Sequence, residues 1–460
     1  MNDSILEKAV ENIISAPAVV LDKTISGSQS IATSIMNHEP VKKAGDYWER
    51  LGPGLTTGAA DDDPSGVATY SQAGAQFGFQ LIWLAPFTFP LMAIVQEMCA
   101  RIGLVTGRGL AGNIRIHYSR WILYLCSMLL FITNTFNIGV DIGAMAKAVQ
   151  LIIPNANFVL ILIIFTSISL GLQIFITYDK YAKYLKFLAL LLLSYVFSAL
   201  YINMDWGMVI KNAVIPSIVF SKDQFFLICA ILGTTISPYL FFWQTSQEVE
   251  EEILNGKTTI KLRQETTSKK NIHDMRIDVW SGMFISNLVM FFIIATCAAT
   301  LFANGITTIT TAADAAIALR PIAGEQAYLL FALGIIGTGL LALPILAGSA
   351  SYALSESFKW RHGLFRKLKD AYAFYGVIIF SMIIGLLINF LDIDPIKALI
   401  YSAVINGLVA PIILILIVQI SSNNKIMGDK TNHPATTIIG WFVIGLMLIS
   451  GAATLVTLIR

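Results

Sequence analysis

Three adjacent aspartates, Asp61, Asp62 and Asp63, run directly into Pro64, Ser65 and Gly66 in the middle of an apolar stretch, Leu51–Phe79. A carboxylate at the centre of a membrane helix costs roughly 2.5–3.5 kcal/mol on insertion scales, so such a group faces a cavity or a partner and carries function. Pro64 donates no backbone hydrogen bond and biases Asp63 away from α geometry, and Gly66 adds looseness. The stretch reads as two half-helices with an unwound hinge near Asp63–Gly66. Freed carbonyls beside a carboxylate make an oxygen-rich cation site. A second apolar stretch, Phe225–Gln247, repeats the device: Thr234, Thr235 and Ser237 precede a mid-span Pro238, and Tyr239 follows it. A third polar set, Asn134, Asn137 and Asp141, falls at i, i+3 and i+7 and so on one helix face. The asparagines serve equally well as interhelical hydrogen-bonding groups. Glu97 either pairs with Arg101 at i+4 or borders a pathway. Asn406, beside Gly407 and before Pro411, would border a cavity. Glu248, Glu250, Glu251 and Glu252 read as a solvated charge run, or as a lure for cations at an exit.

The elements that must position these groups follow from composition. Of 460 residues, 56% are hydrophobic and 13% charged, with mean hydropathy +0.70. A soluble domain is roughly 45–50% apolar and about 25% charged. A soluble enzyme, a nucleic-acid binder and a disordered chain are excluded, and a net charge of +2 signals no electrostatic partner. Eleven runs are long enough to cross a bilayer as helices, near residues 51–79, 81–104, 121–153, 158–177, 182–202, 225–247, 280–303, 327–354, 372–390, 398–420 and 438–459. Lys and Arg gather in alternate loops: Arg101, Arg108, Arg115 and Arg120; Lys180, Lys183 and Lys186; Lys257–Arg276; Lys359–Lys369. Such loops face the cytoplasm, so the N-terminus is expected inside and the C-terminus outside a plasma membrane, such as a bacterial inner membrane. Residues 1–48 form a polar cytoplasmic tail and 49–460 the membrane domain. The two proline breaks occupy the first and sixth spans. That is the mark of an inverted repeat, about 51–204 and about 225–420, followed by an extra helix at about 438–459. The four cysteines lie singly in apolar runs, the five histidines lie in loops, and no nucleotide-binding motif occurs. Any transport would be driven by gradients.

The residues then carry a family likeness. Asp63-Pro64-Ser65-Gly66 resembles the DPGN signature of the NRAMP divalent-metal transporters, flanked by Gly52-Pro53-Gly54 and Gly74-Ala75-Gln76-Phe77-Gly78. Ala100-Arg101-Ile102-Gly103 with Thr106-Gly107 resembles the ARLG–VTG stretch, and Gly233–Tyr239 lines up with GATIMPH. The resemblance implies an all-α integral membrane protein with the leucine-transporter fold, a 5+5 inverted repeat and discontinuous helices 1 and 6. It also implies metal ligands at Asp63 and the carbonyls of Ala60 and Thr234. Departures are informative. The family's methionine position is Ser237, its span 1 asparagine is Gly66 and its span 6 histidine is Tyr239. A second span 3 acid is replaced by Ala144, and a span 10 glutamine by Ala403. An all-oxygen, roomier site suits Mg²⁺, which sheds water reluctantly, and the pattern resembles the NRAMP-related magnesium transporter branch. Ser237 would bond the hydration shell; Asp62 and Asp141 would add negative field; the lost histidine and acid argue against proton coupling. A Mn²⁺ or Fe²⁺ transporter and a small organic solute carrier are the alternatives. An intramembrane protease dyad of Asp63 and Asp141 lacks the flanking motifs. The expected partners are the lipid bilayer and a divalent cation. No enzyme activity, resident cofactor, nucleic acid or obligate protein partner is expected.

Overall fold

The computed structural model describes residues 52–176, 193–219, 221–391 and 393–459. The helices, in chain order, begin with α1 (Pro53–Asp61), α2 (Pro64–Phe77), α3 (Leu84–Thr106), α4 (Leu110–His117), α5 (Arg120–Ile152) and α6 (Phe158–Phe175). Next come α7 (Leu193–Tyr201), α8 (Trp206–Val214), α9 (Lys222–Thr235), α10 (Pro238–Leu254), α11 (Ile260–Thr266) and α12 (Lys269–Thr300). The remainder are α13 (Ala312–Ala316), α14 (Arg320–Ala323), α15 (Ala327–Phe358), α16 (Tyr372–Ile388), α17 (Pro395–Ser421), α18 (Asn424–Met427) and α19 (Pro434–Ile459). No strand occurs among the described residues.

Eight helical stretches are long and apolar enough to cross a membrane, with α9 and α10 forming one of them, and α16 is a shorter apolar helix. The broken pair α1–α2 supplies a tenth crossing, and α7 is the described end of the expected fifth span. The rest of that span, like the tail at residues 1–48, lies outside the described residues. Large apolar side chains face outward, including Phe175 at 84% and Ile449 at 70% exposure. A protein surrounded by water hides such a surface, whereas lipid accepts it. The interior instead holds polar side chains in number, and all four cysteines are buried and free.

Both proline breaks are present. Pro64 and Pro238 each take the first turn of the following helix, where a missing N–H costs nothing. The irregular residues are therefore Asp62–Asp63 and Ile236–Ser237. The first break thus lies ahead of the expected Asp63–Gly66 hinge, and Gly66 is helical. The basic stretch Lys257–Arg276 holds α11 and the first turns of α12, which a capping box between Ser268 and Asn271 starts well before its apolar part.

α12 packs along α1, α2 and α3 and gives the first break its wall. The α1–α12 crossing is set by glycines. A methyl group at Gly58 would lie 2.3 Å from the Gly282 carbonyl oxygen, and one at Gly282 would lie 2.2 Å from the Gly54 carbonyl oxygen. Backbone cannot yield as a flexible side chain does, so overpacking here displaces the half-helix. Gly282→Leu is expected to lower the melting temperature of the purified protein by at least about 10 °C or to abolish its monodisperse elution. Gly376→Leu, at a position with nothing within 4 Å, is the control and should change neither.

Candidate metal site

Asp63 caps α2. Its Oδ1 accepts from the Gly66 amide at 2.8 Å and from the Ser65 hydroxyl at 2.6 Å. This is an ordinary N-cap, in which the carboxylate also lies at the positive end of the helix dipole. Oδ2 is left to look into the bundle, where Asn137 Nδ2 of α5 donates at 3.2 Å and Tyr239 Oη of α10 lies at 3.4 Å. Tyr239 Oη is also 3.1 Å from the Ala60 carbonyl, the last turn of α1. The Asn137 amide is oriented by Ser402 of α17, whose hydroxyl donates to its oxygen. Four elements, α1–α2, α5, α10 and α17, therefore meet at one carboxylate.

The second break faces the first across Gly66. A methyl group there would lie 3.2 Å from both Thr234 Oγ1 and the Asp61 carbonyl, so glycine contributes space rather than a ligand: its amide already serves Asp63. Ser237 Oγ turns back to the carbonyls of Gly233 and Thr234, 2.7 Å from each. Its lone pairs remain available to a water, but its proton holds the broken turn together.

Around these breaks lie buried oxygens with no hydrogen-bond partner among the described residues, Asp61 Oδ1 and both carboxylate oxygens of Asp141, and the hydroxyls of Tyr70 and Thr234 have only each other. Asp141 is within electrostatic reach of Asp63 and of Tyr239, and Tyr239 within reach of Asp61 as well. Buried polar groups are nearly always satisfied, and an unpaired buried carboxylate is costly. Atoms of this kind are what a hydrated cation pairs with, and the candidate ligands at the breaks are oxygens. Carboxylate, carbonyl and hydroxyl oxygens suit Mg²⁺, Ca²⁺ and Mn²⁺.

The aspartate triplet does not converge as a chelate. Asp61 and Asp62 turn toward Ser286 of α12, whose hydroxyl donates to Asp61 Oδ2 at 2.7 Å with Asp62 Oδ1 at 3.4 Å. Among the described residues no three His, Cys, Asp or Glu side chains form a metal-holding cluster. Asn134 is drawn away from the breaks, donating to the Leu346 carbonyl and Ser349 of α15 at 2.8 Å each. Glu97 lies at the far end of α3, held by Arg276 at 2.8 Å and Trp280 at 2.9 Å, with Arg101 at 3.9 Å. Asn406 is buried with its amide nitrogen unpartnered, next to Gly407, which packs on Gly233 just ahead of the second break. The acidic run after Tyr239 is a solvated face only at Glu251, which is exposed; Glu248, Glu250 and Glu252 are buried. The reason is that α3 and α15 enclose this end of α10, supplying Tyr352 to Glu250, while Lys257 reaches Glu252 at 2.7 Å.

Ser286, Ser402 and Tyr70 complete the site and were not singled out from sequence. Ser286 and Ser402 are single hydroxyls inside apolar spans, the one signal available, and one that many structural serines share.

An all-helical bundle with paired breaks at its centre is the architecture of a multi-pass membrane transporter. The chain matches the family model described as natural resistance-associated macrophage protein-like over residues 54–457, and so belongs to the Nramp family. It is 25% identical over 408 residues to a divalent metal cation transporter, MntH, of Klebsiella pneumoniae subsp. pneumoniae, covering 86% of this chain and 91% of that one. Among solved structures it is similar to the Eremococcus coleocola manganese transporter (TM-score 0.66, 17% identity, 88% of this chain and 85% of that one). It also resembles the inward-facing form of Mhp1 (TM-score 0.51, 15% identity, 88% and 90%). These neighbours share the leucine-transporter fold, as the family resemblance implied.

Proposed function

We propose that this protein carries hard divalent cations, Mg²⁺ foremost, through the bilayer by alternating access around the two helix breaks. The observation behind this reading is the oxygen-only donor set at the breaks: the Asp63 carboxylate, the Ala60 and Thr234 carbonyls, and hydroxyls at Ser237 and Tyr239. Asp63 is the principal carboxylate, meeting the ion directly or through one water, and Asp61, Asp62 and Asp141 supply field. With few direct ligands the ion keeps much of its water, which suits the reluctance of Mg²⁺ to dehydrate. The basic loops face the cytoplasm, placing the N-terminus inside and the C-terminus outside. Inward movement of two charges gains about 4.6 kcal/mol per 100 mV, so the membrane potential alone can drive uptake. Mn²⁺ transport is the second reading, favoured by the names of the relatives.

Uptake into proteoliposomes separates them. Mg²⁺ flux is expected, inhibited by excess Ca²⁺ or Mn²⁺ more than by trace Cd²⁺, with no change of internal pH. Strong preference for Cd²⁺ would favour the second reading, and acidification during flux would restore proton coupling. Ser237→Met places a soft sulfur at the second break. It is expected to raise Cd²⁺ affinity about tenfold or more and to weaken Mg²⁺ transport, read by isothermal titration and by flux. Equal Cd²⁺ affinity in both proteins would remove Ser237 from the site.

A further inference from the structure

Eleven residues beyond Tyr239, about 16 Å along α10, the far end of that half-helix borders a second cavity. Its volume is about 340 Å³, and its walls come from the α3–α4 turn, α10, α11 and the loop after α15. Five arginines line it: Arg108, Arg115, Arg263, Arg361 and Arg366. The two lining carboxylates are already engaged. Glu356 accepts from the Gly112 amide at 2.7 Å, and Glu250 from the Leu364 amide at 2.6 Å and the Tyr352 hydroxyl. Three of the arginines hydrogen-bond to neutral main-chain carbonyls, while Glu356 lies within electrostatic reach of Arg115 and Glu252 of Arg263. Arg115 donates to the Glu356 main-chain carbonyl. Arg263 forks onto the Gly107 carbonyl at 3.2 and 3.1 Å and reaches the Lys257 carbonyl at 2.9 Å. Arg366 donates to the His362 carbonyl at 3.1 Å. The guanidiniums of Arg108 and Arg361 make no hydrogen bond or ion pair among the described residues. Ser246, 3% exposed on the cavity wall, has an unpartnered hydroxyl. Burial pulls Arg263 below its ordinary value; Glu252 offsets this, and the charge of Arg108 adds to it.

Several guanidiniums lining one cavity, with Arg108 and Arg361 unpaired among the described residues, supply what planar, bidentate phosphate recognition uses. The volume falls within the range of small-ligand sites. We propose that this cavity binds a phosphate-bearing anion of two or more charges, gripped by Arg108 and Arg361 with Ser246 as a neutral donor. A soluble polyphosphate and a phospholipid headgroup present the same chemistry. Because α10 carries Tyr239 at its other end, an occupant ties that half-helix to the loop after α15 and slows its movement. This consequence rests on the transport reading above; the binding does not.

The test uses the full chain purified in detergent with EDTA, titrated calorimetrically with ATP and with pyrophosphate at low salt. Saturable binding is expected, at least tenfold weaker in the Arg108→Gln/Arg361→Gln double variant and weakened again by 300 mM salt. Melting is followed in parallel in nanodiscs with and without phosphatidylglycerol. Stabilisation by that lipid in the parent but not in the double variant, with no heat from soluble phosphates, assigns the site to a headgroup. No response to any of the three probes, or equal binding by the double variant, overturns the proposal. Neither guanidinium has a partner among the described residues, so the variants should fold, and size-exclusion chromatography checks it. Absent cation flux would strike the transport reading and leave the calorimetry standing.

Discussion

Asp63→Asn is expected to lower divalent-cation flux by at least about 100-fold, in a protein that elutes and melts like its parent. Asparagine caps a helix as well as aspartate does, so the Gly66 and Ser65 contacts that start α2 are kept. What is removed is the charge on the oxygen that looks toward Asn137 and Tyr239. A carboxylate and a divalent ion about 4 Å apart, across one water, attract by roughly 8 kcal/mol at an effective dielectric of 20. Desolvation offsets much of this, and a surplus of only about 3 kcal/mol is already more than 100-fold in binding. Asp63→Ala should show the same loss plus about 1 kcal/mol of destabilisation from the missing cap. Asp62→Asn, whose side chain turns to Ser286 instead, should reduce flux severalfold rather than abolish it. Proteoliposome uptake with calorimetric cation binding checks the series. Parental flux in Asp63→Asn would detach this carboxylate from the ion altogether.

The contrast between those two neighbours shows how far a sequence can be read. Pro64 and Pro238 announce both breaks because a proline inside an apolar run removes a hydrogen bond wherever it stands. Span ends such as those of α5 and α6 were legible for the same local reason, since the length of an apolar run is read within its own residues. Side-chain direction was not. Asp61, Asp62 and Asp63 look equivalent in a row, yet the turn at the break sends the first two to α12 and the third to α5 and α10. Their partners stand 224 and 225 residues away for Ser286, and 74 and 176 for Asn137 and Tyr239. Asn134 and Asn137 share a face, but one turn of helix separates a neighbour in α15 from a neighbour in the site. The acidic run at the end of α10 misleads for the opposite reason: charge density suggests solvent, and only the packing of α3 and α15 reveals that Glu248, Glu250 and Glu252 are enclosed.

A still less legible residue, Asp278, carries the second large effect. Its two oxygens accept from three backbone amides at the start of α1: Gly52 at 2.9 Å, Leu55 at 3.0 Å and Gly54 at 2.6 Å. A helix start leaves its first N–H groups without partners, and here one carboxylate from α12 answers them while meeting the positive end of the dipole. α1 has nine residues, too few to hold helical form unaided. Its placement therefore depends on this clasp and on the glycine crossing at Gly58 and Gly282. Removing one partner of a buried charged arrangement typically costs 3–5 kcal/mol. Asp278→Ala is accordingly expected to speed hydrogen exchange at the amides of residues 52–58 by about 100-fold or more, with little change in α9 or α17. Because α1 ends at Asp61, beside the Ala60 carbonyl and Asp62, freeing its other end loosens one side of the candidate cation site, and cation affinity should fall with it. Asp278→Asn, which retains acceptor geometry on one oxygen only, should lie between the two. Unchanged exchange over residues 52–58 in Asp278→Ala would mean that the half-helix is held by packing alone, and that the carboxylate merely satisfies amides already fixed in place.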